Sequence, residues 1–571
     1  YNGEIYNYKE LKNSLKQKGY KFNNKTDTEV LLNGLIHEGP EFIEKCNGMF
    51  AFAFHNKRKK ISYIFRDRIG IKPLFYSINN KEVIFSSNVN SLISLDKINK
   101  KLDKESVSSY FSFRQPIQNK TFFKNIFSLE PGHYIEIKQN KVNIKKYWDF
   151  NDFFLESFED KGEKFYKDRL YDLVKSSVKY RLISDVKIAS LLSGGLDSTI
   201  IASILNEEIG KNFLAYSIGY SYKDYNEFKY SKIAAKGLNM KHIILSTDAE
   251  KYFEDMEKLI KLRGQPLTIP NEISQYQLCR LIKKKATVVL SGSGADELFC
   301  GYGRIFSSTD DFKKIKNKQI FKNLNQEKKF FINVENRYGR KNFSNYLEHF
   351  LKLYNYTDDK IKQKILHSDF NHKKINQNIR SYFKKIFDNV ETKNYLIKMQ
   401  YFFQKYHLKG ILEREDIASM ASSIELRVPF LDHRIIEFAA TIPSKYKIKL
   451  LKEKITLTSN LSSEVNDIPK YILRKSFEKN IPKSILQRKK VGFPVPLHFW
   501  MSNKKIKEKV YDTLLSNNSL NRDIFNMKYI KGLLNDRDLY KFDGSAKIYQ
   551  GSKAHKIWMC YNLETFFSSI E

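Results

Sequence analysis

The stretch Ser193-Gly194-Gly195-Leu196-Asp197-Ser198 decides the fold of this chain. It follows an apolar run at 186–192, typical of a buried strand, and precedes a run at 199–205, typical of a helix. The glycine pair lets the backbone turn sharply, so its N–H groups can face an anion at the helix N-terminus. Ser193 and Ser198 add hydroxyl donors, and Asp197 can hold a magnesium ion that accompanies a polyphosphate. The stretch predicts a phosphate-binding loop; the alternative is a tight turn without a ligand.

This loop differs from the common nucleotide-binding pattern. No Gly-Lys-Ser/Thr follows it, so it is not a Walker sequence. It resembles the PP-loop of the ATP pyrophosphatases, enzymes that release pyrophosphate and leave AMP on a substrate.

The composition predicts a multidomain globular protein. A length of 571 residues favours about two to four domains. No apolar run reaches the roughly 18 residues that span a bilayer, and the start of the sequence shows no signal segment. The four cysteines are far apart, in no metal-like spacing, which favours structural thiols in a reducing cytoplasm.

The net charge of +36 raises nucleic acid as a partner. The lysines, however, are spread over the whole length instead of forming a patch. We therefore expect no dedicated nucleic-acid site, and we keep a non-catalytic, basic, nucleic-acid-binding scaffold as an alternative.

Residues 1–150 are expected to form a strand-rich first domain. Apolar spacing predicts helices at 9–18 and 28–37, the second with Asp27 as its N-cap. The stretch 49–54 alternates bulky and small apolar residues, as in a strand buried on both faces. Further strands at 60–65, 83–85 and 133–137 predict two packed sheets with outer helices.

The pattern changes after a polar and aromatic segment at 151–164, where we expect the domain boundary. From residue 165 to 571 helices and strands alternate, which predicts a doubly wound, mostly parallel sheet. Residues 305–410 are expected to be helical and carry no interpretable motif.

A second loop follows the predicted strand 286–290 and reads Ser291-Gly292-Ser293-Gly294-Ala295-Asp296-Glu297. Ligands of open α/β sheets bind at the carboxyl ends of strands. Asp296 could therefore supply a second magnesium carboxylate, although it could instead cap the next helix.

Two further segments carry dense charge. Residues 412–421 lead into 425–432, where Glu425 and Arg427 either order the site or contact the substrate. Lys490 ends the basic run 487–490. A lysine there could reach a phosphate, although composition alone favours a solvated charge run.

The order of these four motifs resembles the synthetase domain of glutamine-dependent asparagine synthetases. The N-terminal motifs at 2–7, 26–29, 48–53 and 66–74 resemble the glutaminase domain of the same family. The resemblance covers essentially the whole chain. It implies an N-terminal nucleophile glutaminase with an αββα sandwich over 1–150, joined to an ATP pyrophosphatase domain with added helices over 165–571.

The resemblance also implies roles for individual residues. Asn2 and Gly3 match the oxyanion hole, and Glu4 and Asp27 match the carboxylates that hold glutamine. Lys490 matches a lysine that stabilises the reacting phosphate. ATP is expected to contact Leu191, Ser193, Gly194, Gly195, Asp197, Ser198, Ile218, Ser291 and Gly292, and Mg2+ to contact Asp197 and Asp296.

The implied reaction is carbon–nitrogen ligation with glutamine as amido donor. A cysteine thiolate releases ammonia from glutamine, and ATP with Mg2+ activates the aspartate side chain as an acyl-AMP. Ammonia then displaces AMP and leaves asparagine. The implied setting is a cytoplasmic enzyme without a membrane or dedicated nucleic-acid partner, and a homodimer is one expected assembly.

The sequence departs from the family pattern at two important places. The family's N-terminal cysteine and a glutamine-gripping arginine precede the motif that here begins at Asn2. We expect an incomplete chain without that nucleophile, with natural truncation as the alternative and Cys46 as no substitute. At Ser293 the family carries an acid linked to acyl-adenylate formation. This change motivates a second hypothesis, amidation of another carboxylate, such as a uronic acid in surface polysaccharide synthesis.

Overall fold

The computed structural model describes residues 1–79, 82–139, 141–154, 159–210, 213–222, 225–490, 492–536 and 552–570. Residues 155–158 of the expected boundary segment lie outside this described part. The strands that follow are numbered in chain order: β1 Asn2–Ile5, β2 Gly48–Asn56, β3 Ile61–Arg66, β4 Phe75–Ile78, β5 Val83–Ser86, β6 Phe127–Ser128, β7 His133–Lys138, β8 Lys141–Lys146, β9 Ile188–Leu191, β10 Leu214–Tyr220, β11 Lys241–Thr247, β12 Val288–Leu290, β13 Glu425–Arg427, β14 Ile448–Leu450 and β15 Asp467–Pro469.

The described helices are numbered in the same way: α1 Tyr8–Gln17, α2 Asp27–Glu38, α3 Val89–Ile93, α4 Lys104–Phe113, α5 Gly162–Tyr180, α6 Leu196–Ile209, α7 Phe228–Gly237, α8 Ala249–Arg263, α9 Asn271–Ile282, α10 Ala295–Leu298, α11 Gly303–Phe306, α12 Ser308–Lys316, α13 Leu324–Tyr338, α14 Tyr346–Tyr354, α15 Asp359–Ile365, α16 His372–Asp388, α17 Tyr395–Phe402, α18 Leu408–Met420, α19 His433–Thr441, α20 Ser444–Lys447, α21 Ser459–Ser462, α22 Tyr471–Ser476, α23 Lys483–Leu486, α24 Leu497–Ser502, α25 Lys504–Leu514, α26 Asn517–Asn521, α27 Met527–Leu534 and α28 Lys553–Ile570.

The N-terminal region, up to about residue 150, is a sandwich of two antiparallel sheets. The larger sheet has the order β1-β2-β3-β7-β8 and the smaller one the order β5-β4-β6. Ala51, Ile64 and Ile135 of the larger sheet pack with Leu74 and Tyr76 between the two sheets. The alternate residues of the larger sheet face outward and bury helices α1 and α2, because side chains along a strand alternate between its faces.

Helices α3 and α4 pack on the far side of the smaller sheet, where Phe75 shares a core with Val89 and Val107. The four layers confirm the expected αββα sandwich. Burial of both faces of β2 holds only for Met49 to Phe52, since Ala53 is exposed.

The N-cap expected at Asp27 is wrong. Thr26 is the cap of α2, and its hydroxyl accepts a hydrogen bond from the Glu29 N–H at 3.4 Å. Asp27 is the first helical residue, so its carboxylate is free to accept from the Ile5 N–H at 3.0 Å. The threonine does the capping and leaves the aspartate for another purpose.

The C-terminal region contains the expected parallel sheet, with the order β11-β10-β9-β12-β13. The chain runs outward from β9 through β10 to β11 and then crosses to β12 on the other side of β9. This reversal creates a switch point between β9 and β12, where sheets of this kind bind ligands. The prediction of a doubly wound α/β fold is confirmed.

The segment 305–410 is helical, as expected, and contributes α11 through α17. A short π-helix, Phe403–His407, leads into α18. Among the described helices, none combines the length and apolar character that crossing a membrane requires.

Buried polar contacts join the N-terminal sandwich to the region that contains the parallel sheet. The Lys72 ammonium lies 2.9 Å from an Asp416 carboxylate oxygen, and the Asn47 amide donates to Asp432 at 2.9 Å. Within the C-terminal region Arg181 pairs with the same Asp432, at 3.2 Å, and so helps to fix the carboxylate that Asn47 contacts. The sandwich and the parallel sheet are therefore held in one arrangement by charges and hydrogen bonds that are shielded from water.

Candidate active site

The loop after β9 is built as an anion-binding turn. The Ser193 N–H donates to the Ser198 hydroxyl at 3.2 Å, and the two hydroxyl oxygens lie 3.0 Å apart. Gly195 occupies the N-cap of α6 and has no side chain that could cap the helix. Because the first turn of a helix has no internal partners for its N–H groups, α6 can offer them to a phosphate.

Gly194 is required by its surroundings. Its φ is +72°, a conformation that favours glycine. A Cβ at this position would lie 2.3 Å from the backbone nitrogen of Ser231. The Gly194 carbonyl accepts from Arg488 at 2.9 Å, and Arg488 is in turn paired with Glu227. The basic run at 487–490 is thus anchored to the loop.

The loop after β12 touches the loop after β9. A Cβ added to Gly292 would lie 2.7 Å from the Ser198 nitrogen. Ser291 is buried at the end of β12, and Leu191 ends β9 opposite Tyr216, two residues before Ile218 on β10. The structure therefore brings the expected ATP-contacting residues to neighbouring strand ends.

Two carboxylates and two lysines converge at this switch point. The Lys470 ammonium lies 2.6 Å from an Asp197 oxygen and 2.7 Å from an Asp296 oxygen. The Lys490 ammonium pairs with the same Asp296 oxygen and lies 4.1 Å from the centre of the Tyr302 ring. Lys490 is exposed, as composition favours, but its ammonium pairs with Asp296, so a solvated charge run does not by itself account for it.

Asp296 is not a helix cap. Gly294 is the N-cap of α10, and Asp296 lies in the first turn. Burial opposes ionisation of Asp296, but Lys470 and Lys490 outweigh it and hold the pKa of that carboxyl below its usual range. Burial raises the pKa of Asp197, against the opposing effect of Lys470. The two lysines therefore favour the charged form of Asp296, whereas burial disfavours the charged form of Asp197.

The two carboxylates fit a divalent cation because they already meet at one positive charge. Magnesium is commonly bound by one or two carboxylates together with phosphate oxygens of the substrate. In the described residues no third His, Cys, Asp or Glu completes a metal cluster. A magnesium ion here would thus need the phosphates as ligands, and Lys470 would have to move aside.

Lys470 is a site residue that the sequence motifs missed. It lies 273 residues from Asp197 in the chain and belongs to none of the quoted stretches. Its φ of 54° places it in the left-handed region at the N-cap of α22, where a lysine is unusual. A Cβ at Gly301 would lie 2.1 Å from the Lys470 side chain, so Gly301 makes room for it.

The glutaminase motif occupies β1. Gly3 lies opposite Phe50 of β2. Its φ of +147° is a conformation that residues with side chains rarely adopt. A Cβ would also lie 2.0 Å from the Met49 carbonyl oxygen, so there is no room for a side chain. Asn2 precedes it on the same strand. Asp27 is placed beside them by its bond to Ile5 and by the Tyr1 hydroxyl, which donates at 2.5 Å.

Glu4 connects this motif to the parallel sheet. Its carboxylate lies 3.8 Å from the Arg427 guanidinium, which donates to Glu425 at 2.6 Å. Burial, followed by the negative charge of Glu425, raises the pKa of Glu4 to about 7. Arg427 also donates to the carbonyls of Arg181 and Ile183, at 2.8 and 2.7 Å. Glu425 and Arg427 therefore link the sandwich to the parallel sheet; their two expected roles, ordering the site and contacting the substrate, stay predictions.

Comparison with known proteins agrees with this architecture. Residues 1–148 match the family described as glutamine amidotransferase domain, and residues 169–567 match asparagine synthase. The chain is 33% identical to asparagine synthetase [glutamine-hydrolyzing] 1 of Bacillus subtilis, covering 99% of this chain and 85% of the relative. It is 27% identical to asparagine synthetase [glutamine-hydrolyzing] 3 of the same organism, covering 91% and 81%.

The fold and the two family matches define an enzyme in which a glutamine amidotransferase sandwich is joined to an asparagine synthase region built on a parallel sheet. The chain belongs to the asparagine synthase family. This is the family that the sequence motifs resemble.

Proposed function

We propose that this enzyme amidates the side chain of aspartate. ATP activates the carboxylate, ammonia from glutamine displaces AMP, and the products are asparagine, AMP and pyrophosphate. The observation that carries the proposal is the convergence of Asp197, Asp296, Lys470 and Lys490 on the two strand-end loops. Such a site can hold a polyphosphate and stabilise charge that develops on it.

The nucleotide roles follow from this arrangement. The hydroxyls of Ser193 and Ser198 and the N–H groups at Gly194 and Gly195 are proposed to hold pyrophosphate. Leu191, Ile218, Ser291 and Gly292 are proposed to contact AMP. Asp197 and Asp296 would hold Mg2+, which would neutralise the phosphates and favour departure of pyrophosphate. Lys490 is proposed to stabilise the α-phosphate as the carboxylate attacks it.

The N-terminal sandwich is proposed to hold glutamine. Asn2 and Gly3 would donate to the oxyanion of the tetrahedral intermediate, while Glu4 and Asp27 would bind the polar groups of the substrate. The half-buried Glu4 suits the glutamine ammonium because a buried carboxylate gains most from an ionic partner.

We propose domains at 1–150 and 165–571, a homodimer, and a cytoplasmic location that the four free cysteines support. Membership in an enzyme family does not favour the nucleic-acid-binding scaffold, and no contact among the described site residues favours a uronic acid over aspartate.

The test is AMP and pyrophosphate formation from ATP, Mg2+ and ammonium, with and without aspartate. We expect aspartate-dependent release and asparagine in equal amount. Using ammonium separates this half-reaction from glutamine hydrolysis. If the formation of AMP and pyrophosphate does not depend on aspartate but does depend on another carboxylate, the proposed substrate is overturned. If no AMP forms with any carboxylate, the proposed reaction is overturned.

A further inference from the structure

Helix α18 carries three acidic residues in four positions, and two of them are neutralised. Glu413 accepts from Arg263 at 3.2 Å, and Asp416 pairs with Lys72 at 2.9 Å. Residues three apart share a helix face, whereas a residue two positions along points away. The Glu415 side chain therefore points away from Arg263 and Lys72, and it forms no ion pair among the described residues.

The partner of Glu415 is a serine. The Ser293 hydroxyl donates to Glu415 Oε1 at 2.6 Å, and Glu415 Oε2 is shielded from solvent and bonds to no group in the described part of the chain. Burial raises the pKa of Glu415 against the effects of Ser293 and Arg414. A buried carboxylate without an ion-pair partner costs stability, so its presence calls for a functional reason.

The location of this carboxylate supplies one. Ser293 lies on the loop after β12, and its hydroxyl oxygen is 2.9 Å from that of Ser291. The intervening Gly292 is packed against Ser198 of the phosphate loop. The family resemblance also implies an acid at position 293. A residue 122 positions away in the sequence thus brings a carboxylate to the same point.

We propose that Glu415 is a positioning residue of the amide-forming step and receives, through Ser293, the proton that the attacking nitrogen loses. The inference rests on the proposed function. Ammonia forms the C–N bond to the acyl carbon while the C–O bond to AMP breaks, and AMP leaves with the electron pair. The nitrogen then loses one proton to the Ser293 hydroxyl, which passes its own proton to Glu415.

The test compares three variants with ammonium as nitrogen source. Glu415→Gln keeps the shape and an oxygen that accepts from Ser293, so Mg·ATP affinity and the melting temperature should stay unchanged. Its kcat should fall by about 100-fold, the usual range for a lost proton acceptor. The double variant S293E/E415Q returns a carboxylate to the loop and should recover at least about tenfold of that loss.

Glu257→Gln is the matched control, because Glu257 also accepts from a hydroxyl, that of Tyr561 at 3.2 Å, but on α8 outside the loops. It should stay within about twofold of the unmodified protein. The inference is overturned if Glu415→Gln keeps full kcat, if its loss merely follows unfolding, or if the double variant gains nothing. Absence of AMP formation by the unmodified protein would instead overturn the proposed function itself.

Discussion

The two candidate sites of this molecule treat charge in opposite ways. At the switch point of the parallel sheet, Asp197 and Asp296 are matched by Lys470 and Lys490. In the N-terminal sandwich the nearest cation to Glu4 is Arg427, 3.8 Å away and already engaged by Glu425 at 2.6 Å. The first site is balanced in advance, whereas the second holds a carboxylate that lacks a close counter-ion.

This difference indicates what each site awaits. A balanced cluster keeps its geometry and exchanges one cation for another when a metal–phosphate ligand arrives. An under-compensated carboxylate gains most from a ligand that brings its own positive charge, as an amino acid does.

Lys490→Ala should cause the largest loss. It removes the ammonium that pairs with Asp296, and kcat for AMP formation should fall by about 1,000-fold. Steady-state kinetics with ammonium measures it. Lys489→Ala is the control, since Lys489 is the exposed neighbour and should change kcat by about twofold at most. Equal effects of the two variants would mean that position 490 is an ordinary surface lysine.

Arg427→Met should cost about 3 kcal/mol of unfolding free energy, because it strands Glu425, Glu4 and two buried carbonyl groups. Chemical denaturation of the whole protein measures it. The exposed Arg58 is a suitable control, and Arg58→Met should change stability by about 0.5 kcal/mol or less. A small effect at 427 would show that Glu4 is not held by the junction.

Asp197→Asn should weaken Mg·ATP binding by about 30-fold, since it removes one of two charged groups that meet at a single cation. Calorimetry with Mg·ATP measures it. Asp185→Asn is the matched control, because Asp185 is exposed and precedes β9 at the opposite end of the strand. If both variants bind equally, the balanced cluster is not the nucleotide site.

The smallest expected effect is a shift in pH dependence. Glutamine binding needs the Glu4 carboxylate charged, so affinity should rise as pH increases through about 7. Glu425→Gln removes a negative charge that raises this pKa, and the midpoint should move to lower pH by about one unit or less. Binding isotherms across pH measure it. An unmoved midpoint would contradict the effect of Glu425 on Glu4.

The contrast between the sites also explains what the sequence could predict. Loops at the ends of parallel strands carry their functional residues in short stretches, so Ser193 to Ser198 and Ser291 to Asp296 were found directly. Lys470 and Glu415 were missed as partners of those loops because only the folded chain brings them there. The Asp27 cap was wrong for a local reason, since Thr26 competed for the same position.

The measurement that tests the account most directly is an isotope transfer. Aspartate labelled with heavy oxygen in its side-chain carboxylate is incubated with ATP, Mg2+ and ammonium, and the AMP is analysed by mass spectrometry. If the carboxylate oxygen attacks the α-phosphate at the switch point, one labelled oxygen must remain on AMP. Unlabelled AMP formed alongside asparagine would contradict an acyl-adenylate at this site.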